Sequence, residues 1–212
     1  MTRDGDRRRR DDRDAGEAEA GRKRLFIAVP LDADAREAIT RLAAEVRSSV
    51  EDGDTLRWVR LESVHLTLRF LGATAETEIP ALRSLLDDAA IDVPQFEVAI
   101  AGAGAFPTPS RPRVLWLGVR QGATEMAAMA RALEEPLAAA GWSPEDRPFR
   151  VHLTLARADG VRAGAAVAAR LAQAASAFEV RFRADRVVLF ESRTERGGAR
   201  YTALHESPLA AG

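Results

Sequence analysis

The chain has 212 residues, of which 46% are hydrophobic and 30% are charged, a composition typical of a globular protein with a well-filled core. Its formal net charge is −1, so a site for a polyanion has to be a local basic patch. Because there is no cysteine, disulfides, thiolate metal sites and a cysteine nucleophile are excluded. No apolar run is long enough to span a bilayer, and we expect a cytoplasmic protein.

The first 22 residues consist almost entirely of Arg, Asp, Glu, Gly and Ala, which predicts a disordered charged tail. Within this tail, Arg7–Arg10 could contact RNA phosphates, but three nearby aspartates largely cancel their charge. Residues 23–212 are expected to form one bilobal domain, with order beginning near Leu25.

The apolar periodicity predicts alternating strands and helices along this domain. A first strand at Leu25–Val29 ends at Pro30, and a helix follows with Asp34 as its N-cap. Further strands are predicted at 56–59, 64–71, 95–100, 114–119, 151–155, 178–182, 186–190 and 201–204. Further helices are predicted at 76–89, at 124–140 with a kink or junction at Pro136, and at 163–175. The stretch Gly102–Pro112 is rich in Gly and Pro and is predicted to be a long loop.

One five-residue string, Val-His-Leu-Thr-Leu, occurs twice, at Val64–Leu68 and at Val151–Leu155. The two copies hold two of the three histidines in the chain. Each half of the chain then has the order strand, helix, histidine strand, helix, strand. We therefore predict a duplicated α+β fold with two lobes, an antiparallel sheet in each lobe, and helices flanking the sheets.

Strand alternation separates the residues of each copy into two faces. In the first copy, the valine and leucines face the core, while His65, Thr67 and Arg69 share the opposite face. In the second copy, His152 and Thr154 are placed in the same way. The apolar residues account for the strand, but they do not account for the histidines.

A single His-x-Thr pair in a strand is more often a surface pair or a satisfied buried imidazole than a functional group, whereas two identical copies favour function. Phosphodiester cleavage by in-line displacement needs a base and an acid on opposite sides of phosphorus, and two imidazoles can supply them. Thr67 and Thr154 can donate hydrogen bonds to the nonbridging oxygens, and Arg157 can add charge-assisted bonds. Zinc is the competing use of paired histidines, but no ligand set is visible, and His205 is interpreted as a surface residue.

The two His-x-Thr-x segments resemble those of the 2H phosphoesterase superfamily, in particular its RNA 2′,3′-cyclic phosphodiesterase branch, the LigT-like or 2′-5′ RNA ligase family. The resemblance extends from about Arg24 to Leu209, and Val151 is a departure, because the family often has proline there. The matching segments are Arg24–Pro30, Trp58, His65–Gly72, Phe106-Pro107, Pro112–Val119, Arg147–Phe149, His152–Arg157, Glu191-Ser192 and Tyr201.

The resemblance implies two lobes related by a pseudo-twofold axis, with one motif from each lobe in the cleft between them. It implies opening of an RNA-terminal 2′,3′-cyclic phosphate to a 2′-phosphate without metal or cofactor, and reversible ATP-independent 2′-5′ joining of RNA ends. By this analogy His152 is the general base that activates water and His65 is the general acid that protonates the 3′ oxygen. Thr67, Thr154 and Arg157 bind phosphate. The expected partners are tRNA fragments or short oligonucleotides, with the protein acting as a monomer and away from membranes.

Two alternatives stay open at this point. One is a 2H enzyme that acts on a small cyclic nucleotide or on a cyclic phosphate of ADP-ribose, and the other is a non-catalytic module that binds RNA ends. Phe149 and Trp116 could stack on bases, although core packing suits both residues. Because Phe70 stands at the offset that Arg157 has in the second copy, the site is predicted to be symmetric in its imidazoles and asymmetric in its charge.

Overall fold

The computed structural model describes residues 21–145, 148–196 and 198–211, so most of the predicted charged tail lies outside the described residues. The strands are β1 Arg22–Pro30, β2 Arg57–Trp58, β3 His65–Ala75, β4 Phe96–Thr108, β5 Arg111–Gln121, β6 His152–Arg157, β7 Glu179–Ala184, β8 Arg186–Glu195 and β9 Gly198–Pro208. The helices are α1 Ala33–Ser48, α2 Ile79–Ala90, α3 Ala123–Ala139 and α4 Gly164–Ala174. The first strand begins three residues before the predicted onset of order.

The strands form two antiparallel sheets, which confirms the predicted α+β fold. Sheet A has the strand order β3-β1-β8-β9, and sheet B has the order β2-β6-β5-β4-β7. Each half of the chain contains a strand, a connecting helix and a motif strand that returns antiparallel beside the first strand: β1-α1-β3 in sheet A and β5-α3-β6 in sheet B. The duplicated sequence is therefore matched by a duplicated strand arrangement.

The two connecting helices, α1 and α3, link the sheets because each packs on the sheet of the other half. Helix α1 packs against β7 and α4 on sheet B, whereas α3 packs against β3 and α2 on sheet A. The apolar residues that fill these contacts belong to one continuous buried cluster. No helix among the described residues combines the length and apolarity that crossing a membrane requires.

Helix α1 begins slightly earlier than predicted. Its N-cap is Asp32, which has extended backbone and accepts a hydrogen bond from the Ala35 amide at 2.8 Å. Asp34 is not the cap but lies in the first turn, where a negative charge favours the helix dipole. The predicted apolar face is confirmed, since its four members are all buried: Ala35, Ile39, Leu42 and Val46.

The prediction of a long loop over Gly102–Pro112 is wrong. Strand β4 continues to Thr108, and only Pro109 and Ser110 turn the chain into β5. Gly104 makes room for a neighbour, since a Cβ atom there would overlap the Trp116 ring, and Gly102 has a positive φ of 70° at a register irregularity of β4. The Gly- and Pro-rich composition suggested a loop, but in this hairpin it reflects close packing at Gly104, a left-handed backbone at Gly102 and the turn at Pro109.

Pro136 does not end α3 or mark a junction. The helix runs through it to Ala139, and the Pro136 carbonyl accepts a bond from the Ala140 amide at 3.0 Å. Proline costs an interior helix the hydrogen bond that its missing N–H would make. Pro136 lies in the last turn, so few residues follow that this loss could disrupt.

Candidate active site

The two motif strands lie against each other although they belong to different sheets. Strand β3 is one of the two edge strands of sheet A, and β6 lies inside sheet B between β2 and β5. Cα atoms of the two strands approach within 8 Å. The fold thus brings both copies of the repeated segment to the junction of the two sheets.

Both motif histidines are held in the same way. The Nδ1 atom of His65 lies 2.8 Å from the Ser63 carbonyl oxygen, and that of His152 lies 2.7 Å from the Arg150 carbonyl oxygen. A carbonyl oxygen can only accept, so Nδ1 carries a proton and donates in each pair. This leaves Nε2 of both rings as the atom available to take or give a proton.

Each motif strand contains a β-bulge at the last leucine of the repeated string, that is, at Leu68 and at Leu155. Opposite β1, the register passes from Thr67 to Arg69 in a single step and skips Leu68. Opposite β5, it passes from Thr154 to Ala156 and skips Leu155. A bulge inserts one unpaired residue and shifts the alternation of the side chains that follow.

The bulge makes the predicted position of Arg69 wrong. Instead of sharing a face with His65 and Thr67, the Arg69 side chain turns inward and is only 4% exposed. The next residue, Phe70, returns to the face of the strand that carries His65 and Thr67, which we call the motif side. Its ring lies 6.1 Å from that of Phe26. By the same geometry Ala156 is buried, and Arg157 is exposed.

An aromatic cluster from sheet A surrounds His65. Its ring stacks on Phe26 at 4.6 Å and meets the ring of Tyr201 at 5.0 Å in an edge arrangement. Burial lowers the pKa of His65, and the bond to the Ser63 carbonyl partly opposes this change. The neutral imidazole is therefore favoured in the free protein.

Tyr201 connects this cluster to the second motif. Burial raises the pKa of its hydroxyl, and the positive charge of Arg157 acts in the opposite direction. Arg157 belongs to sheet B and Tyr201 to sheet A, so this charge acts across the junction of the two sheets.

The surroundings of His152 differ from those of His65. Phe106 meets the His152 ring edge-on at 5.2 Å, and Trp116 lies 6.4 Å away. Trp116 is half-buried beside the motif, whereas Phe149 packs against the buried core from its rim. Both residues thus contribute packing, as the sequence favoured, but only Trp116 lies next to a motif histidine.

The two threonines stay available to a ligand. Thr67 pairs with Ala28 across β1, and Thr154 pairs with Trp116 across β5. Both side chains are half-buried, and neither hydroxyl makes a hydrogen bond to another described residue. Each hydroxyl therefore lies two residues from a histidine with its donor and acceptor capacity unused within the described part of the chain.

Arg69 joins the first motif strand to the segment that leads to the second motif. Its guanidinium lies 3.3 Å from a Glu134 carboxylate oxygen of α3 and 2.9 Å from one of Glu145, and it donates to the Ser143 carbonyl. Sequence reasoning missed this role because the bulge that turns Arg69 inward depends on pairing with β1. The motif strand carries no local signal of that bulge in its own sequence.

His205 lies away from the motif histidines. Its Nε2 lies 2.7 Å from an Asp87 carboxylate oxygen, and the Ser207 hydroxyl donates to the same oxygen at 2.5 Å. Serine and histidine both bind the aspartate, so the serine is not activated by the imidazole as a nucleophile would be. His205 is 25% exposed and joins β9 to α2. Nowhere in the described ranges do three His, Asp or Glu side chains cluster closely enough to hold a metal ion.

Sequence comparison relates both motifs to one family. The pattern of the 2′-5′ RNA ligase superfamily matches residues 30–196. The RNA 2′,3′-cyclic phosphodiesterase of Aeropyrum pernix is 39% identical over 124 residues, which are 58% of this chain and 69% of that protein. The Escherichia coli protein of the same name is 33% identical over 182 residues, which are 86% of this chain and 94% of that protein.

Comparison of folds gives the same relationship. The crystal structure of E. coli LigT complexed with 3′-AMP has a TM-score of 0.68 at 28% identity and covers 89% of this chain and 99% of its own. A Thermus thermophilus protein, TT0787, has a TM-score of 0.68 at 26% identity, with 88% and 97% covered. Because the family pattern spans both motif strands and the fold agrees over most of the chain, this protein belongs to the 2′-5′ RNA ligase superfamily.

Proposed function

We propose that this protein hydrolyses RNA-terminal 2′,3′-cyclic phosphate to a 2′-phosphomonoester. The observation that carries the proposal is the pair of imidazoles on contacting strands, each fixed through Nδ1 and with no hydrogen bond at Nε2 to any described residue. Relatives that share up to 39% identity bear the name RNA 2′,3′-cyclic phosphodiesterase, and LigT of E. coli was crystallised with 3′-AMP. These names indicate the substrate class, and the two imidazoles supply the chemistry.

In the proposed reaction, water attacks phosphorus in line with the 3′ oxygen. Nε2 of His152 takes a proton from the attacking water as the new P–O bond forms. Nε2 of His65 gives its proton to the 3′ oxygen as the P–O3′ bond breaks. The products are a 2′-phosphate and a 3′-hydroxyl, and the two histidines have exchanged protonation states.

Three side chains are proposed to hold the phosphate. Thr67 and Thr154 donate their free hydroxyls to the nonbridging oxygens, where charge increases in the transition state. Arg157 adds a charge-assisted bond from the side of sheet B. A bound phosphate also raises the pKa of His65, since a nearby negative charge favours the imidazolium that a general acid requires.

Phe70 is proposed to stack on the base of the terminal nucleotide. Its side chain is 62% exposed, which is unusual for a phenylalanine in a strand with a packed core. Its ring lies 6.1 Å from that of Phe26, which in turn stacks on His65. A base bound on Phe70 would therefore place its ribose towards the histidines.

The proposal is tested by product analysis on an oligonucleotide with a 2′,3′-cyclic end. We expect a 2′-phosphate product and unchanged turnover in EDTA. A 3′-phosphate product would overturn the leaving-group assignment, and loss of turnover in EDTA would overturn the metal-independent mechanism. His65→Ala and His152→Ala are each expected to lower turnover by about 100-fold or more without changing the fold. Near-normal turnover by either variant would contradict the two-histidine mechanism.

The roles of acid and base can be separated with a better leaving group. A nucleoside p-nitrophenyl phosphodiester releases a nitrophenolate that needs no protonation. His65→Ala should therefore regain most of its activity on this ester, whereas His152→Ala should not. The opposite pattern would exchange the two assignments.

The same site allows the joining of RNA ends. A 5′-hydroxyl RNA end can take the place of the attacking water and form a 2′-5′ linkage without ATP, although bulk water favours hydrolysis. Turnover of a mononucleoside cyclic phosphate that equals turnover of the oligonucleotide would favour the small-nucleotide alternative. Binding without turnover would favour the RNA-end-binding alternative.

A further inference from the structure

A second basic surface lies at the end of sheet B, beyond the motif strand. A cavity of about 450 Å³ opens there between the β4–β5 turn and the segment from β6 to α4. Arg111, Arg113 and Arg162 line it, and the single carboxylate in its lining belongs to Asp159. We call these three arginines the end patch. None of the steps proposed for the reaction uses them.

The charges of the end patch are not neutralised within the described part of the chain. No carboxylate among those residues lies within 4 Å of the three guanidinium groups. Asp159, the acidic member of the lining, forms an ion pair with Arg57 instead. The cavity thus presents three exposed cations and one carboxylate that is already engaged.

The end patch continues from the proposed phosphate ligand. Arg157 pairs with Val114 of β5 and with Arg57 of β2, and the next amide, Ala158, donates to the Arg113 carbonyl at 2.9 Å. Arg162 lies five positions after Arg157, a path of at most ~18 Å even if the chain were fully extended. A strand of RNA whose last phosphate lies at Arg157 would therefore reach the patch within a few nucleotides.

We propose that the end patch binds the backbone phosphates of single-stranded RNA upstream of the cyclic end. This inference rests on the proposed function, because it takes the RNA terminus to lie between the motifs. Arginine suits the role because its planar guanidinium matches phosphate geometry and stays charged. The enzyme then distinguishes an oligonucleotide from a mononucleotide by contacts outside the reacting centre, and each contact releases counterions from the RNA.

Binding of a 5′-labelled RNA octamer with a 2′-phosphate end, followed by fluorescence anisotropy, tests the inference without turnover. The double variant Arg113→Gln/Arg162→Gln should weaken binding about tenfold at low salt. It should also reduce the steepness of the slope of log affinity against log salt concentration by about 1.4, since each phosphate contact on a single strand contributes roughly 0.7 to that slope. The matched control is Arg83→Gln/Arg131→Gln, which removes two exposed charges from α2 and α3.

Kinetics separate this inference from the proposed function. The end-patch variant should raise KM for a cyclic-ended octamer about tenfold and leave kcat/KM for a mononucleoside cyclic phosphate unchanged. Equal weakening by the control pair, or unchanged octamer affinity, would overturn the end patch and would leave the surface to an acidic partner. If the wild-type protein bound the octamer through these arginines but opened no cyclic phosphate, the proposed function would fail while the patch remained.

Discussion

Replacing Arg69 by methionine removes a buried cation while keeping most of the apolar volume of the side chain. In the native protein this guanidinium contacts Glu134, Glu145 and the Ser143 carbonyl. The variant leaves two carboxylates without their ion-pair partner and one carbonyl without its hydrogen-bond donor. Because Ser143 and Glu145 precede the second motif, the change is expected to loosen the approach to His152 as well as to weaken the fold.

The expected cost follows from how exposed the partners are. Breaking a fully buried ion pair costs about 3–5 kcal/mol, because the remaining charge is left in a dry interior. Here Glu134 is 36% exposed and Glu145 is 43% exposed, so water can replace part of what they lose. Loss of hydrogen bonds to a charged donor costs about 1.5–3 kcal/mol. We therefore expect a loss of about 2–4 kcal/mol in the free energy of unfolding, which lowers Tm by about 4–16 °C in a domain of this size.

The two measurements are Tm from thermal unfolding and kcat for an oligonucleotide with a 2′,3′-cyclic end, taken at a temperature below the unfolding transition. Glu134→Gln is the matched control, because it weakens the contact with α3 and leaves the segment at Ser143 held. It should lower Tm with little change in kcat, whereas Arg69→Met should lower both. A wild-type Tm for Arg69→Met, or an equal loss of kcat in Glu134→Gln, would refute the reasoning.

Three further predictions concern single side chains. Because burial lowers the pKa of His65, its NMR signal should titrate below pH 6.5, and the midpoint of this titration should rise when inorganic phosphate binds. The stability contributed by the neutral ring is lost as the pH falls from 6.5 towards that lower pKa. Titration at or above pH 6.5 in the free protein would contradict this. Phe70→Ala should raise KM for a cyclic-ended RNA about tenfold, since stacking on an aromatic ring contributes about 1–3 kcal/mol per base, while Phe70→Tyr should not; an unchanged KM in the alanine variant would exclude stacking. Hydrogen bonds from Ser207 and then His205 lower the pKa of Asp87 below its ordinary value of 3.8, so their stabilising effect is present above that value and is lost as the pH falls through the lowered pKa. Urea unfolding of Asp87→Asn should lack this acid-dependent decrease, and a decrease equal to that of the wild type would assign it to other groups.

The sequence predicted the histidines and threonines because their positions depend only on strand alternation over three residues. His65 and Thr67 precede the bulge at Leu68, so the period of two still holds for them. Arg69 follows the bulge, and the same period placed it on the wrong face. A bulge is defined by the pairing of two strands, so one strand read alone does not reveal it.

The connecting helices illustrate a second limit of prediction from the sequence. The apolar face of α1 was predicted correctly from its spacing, since that spacing requires a helix with one buried side. The same face does not specify which sheet it packs on, and α1 packs on sheet B although its neighbours in sequence lie in sheet A. Local pattern determines that a face is buried, whereas the partner that buries it depends on the whole fold.

Under the proposed function, the duplicated bulge explains how two identical segments could serve an asymmetric substrate. Both copies read Val-His-Leu-Thr-Leu, and both continue to the same bulge, so their backbones present the fifth residue after histidine on the motif side. That residue is Phe70 in one copy and Arg157 in the other. Under the proposed function, the aromatic ring of Phe70 would take the base of the terminal nucleotide, and the guanidinium of Arg157 would take its anionic phosphate. The repeat therefore supplies two imidazoles held alike through Nδ1, and the position after the bulge adds to the difference between their surroundings.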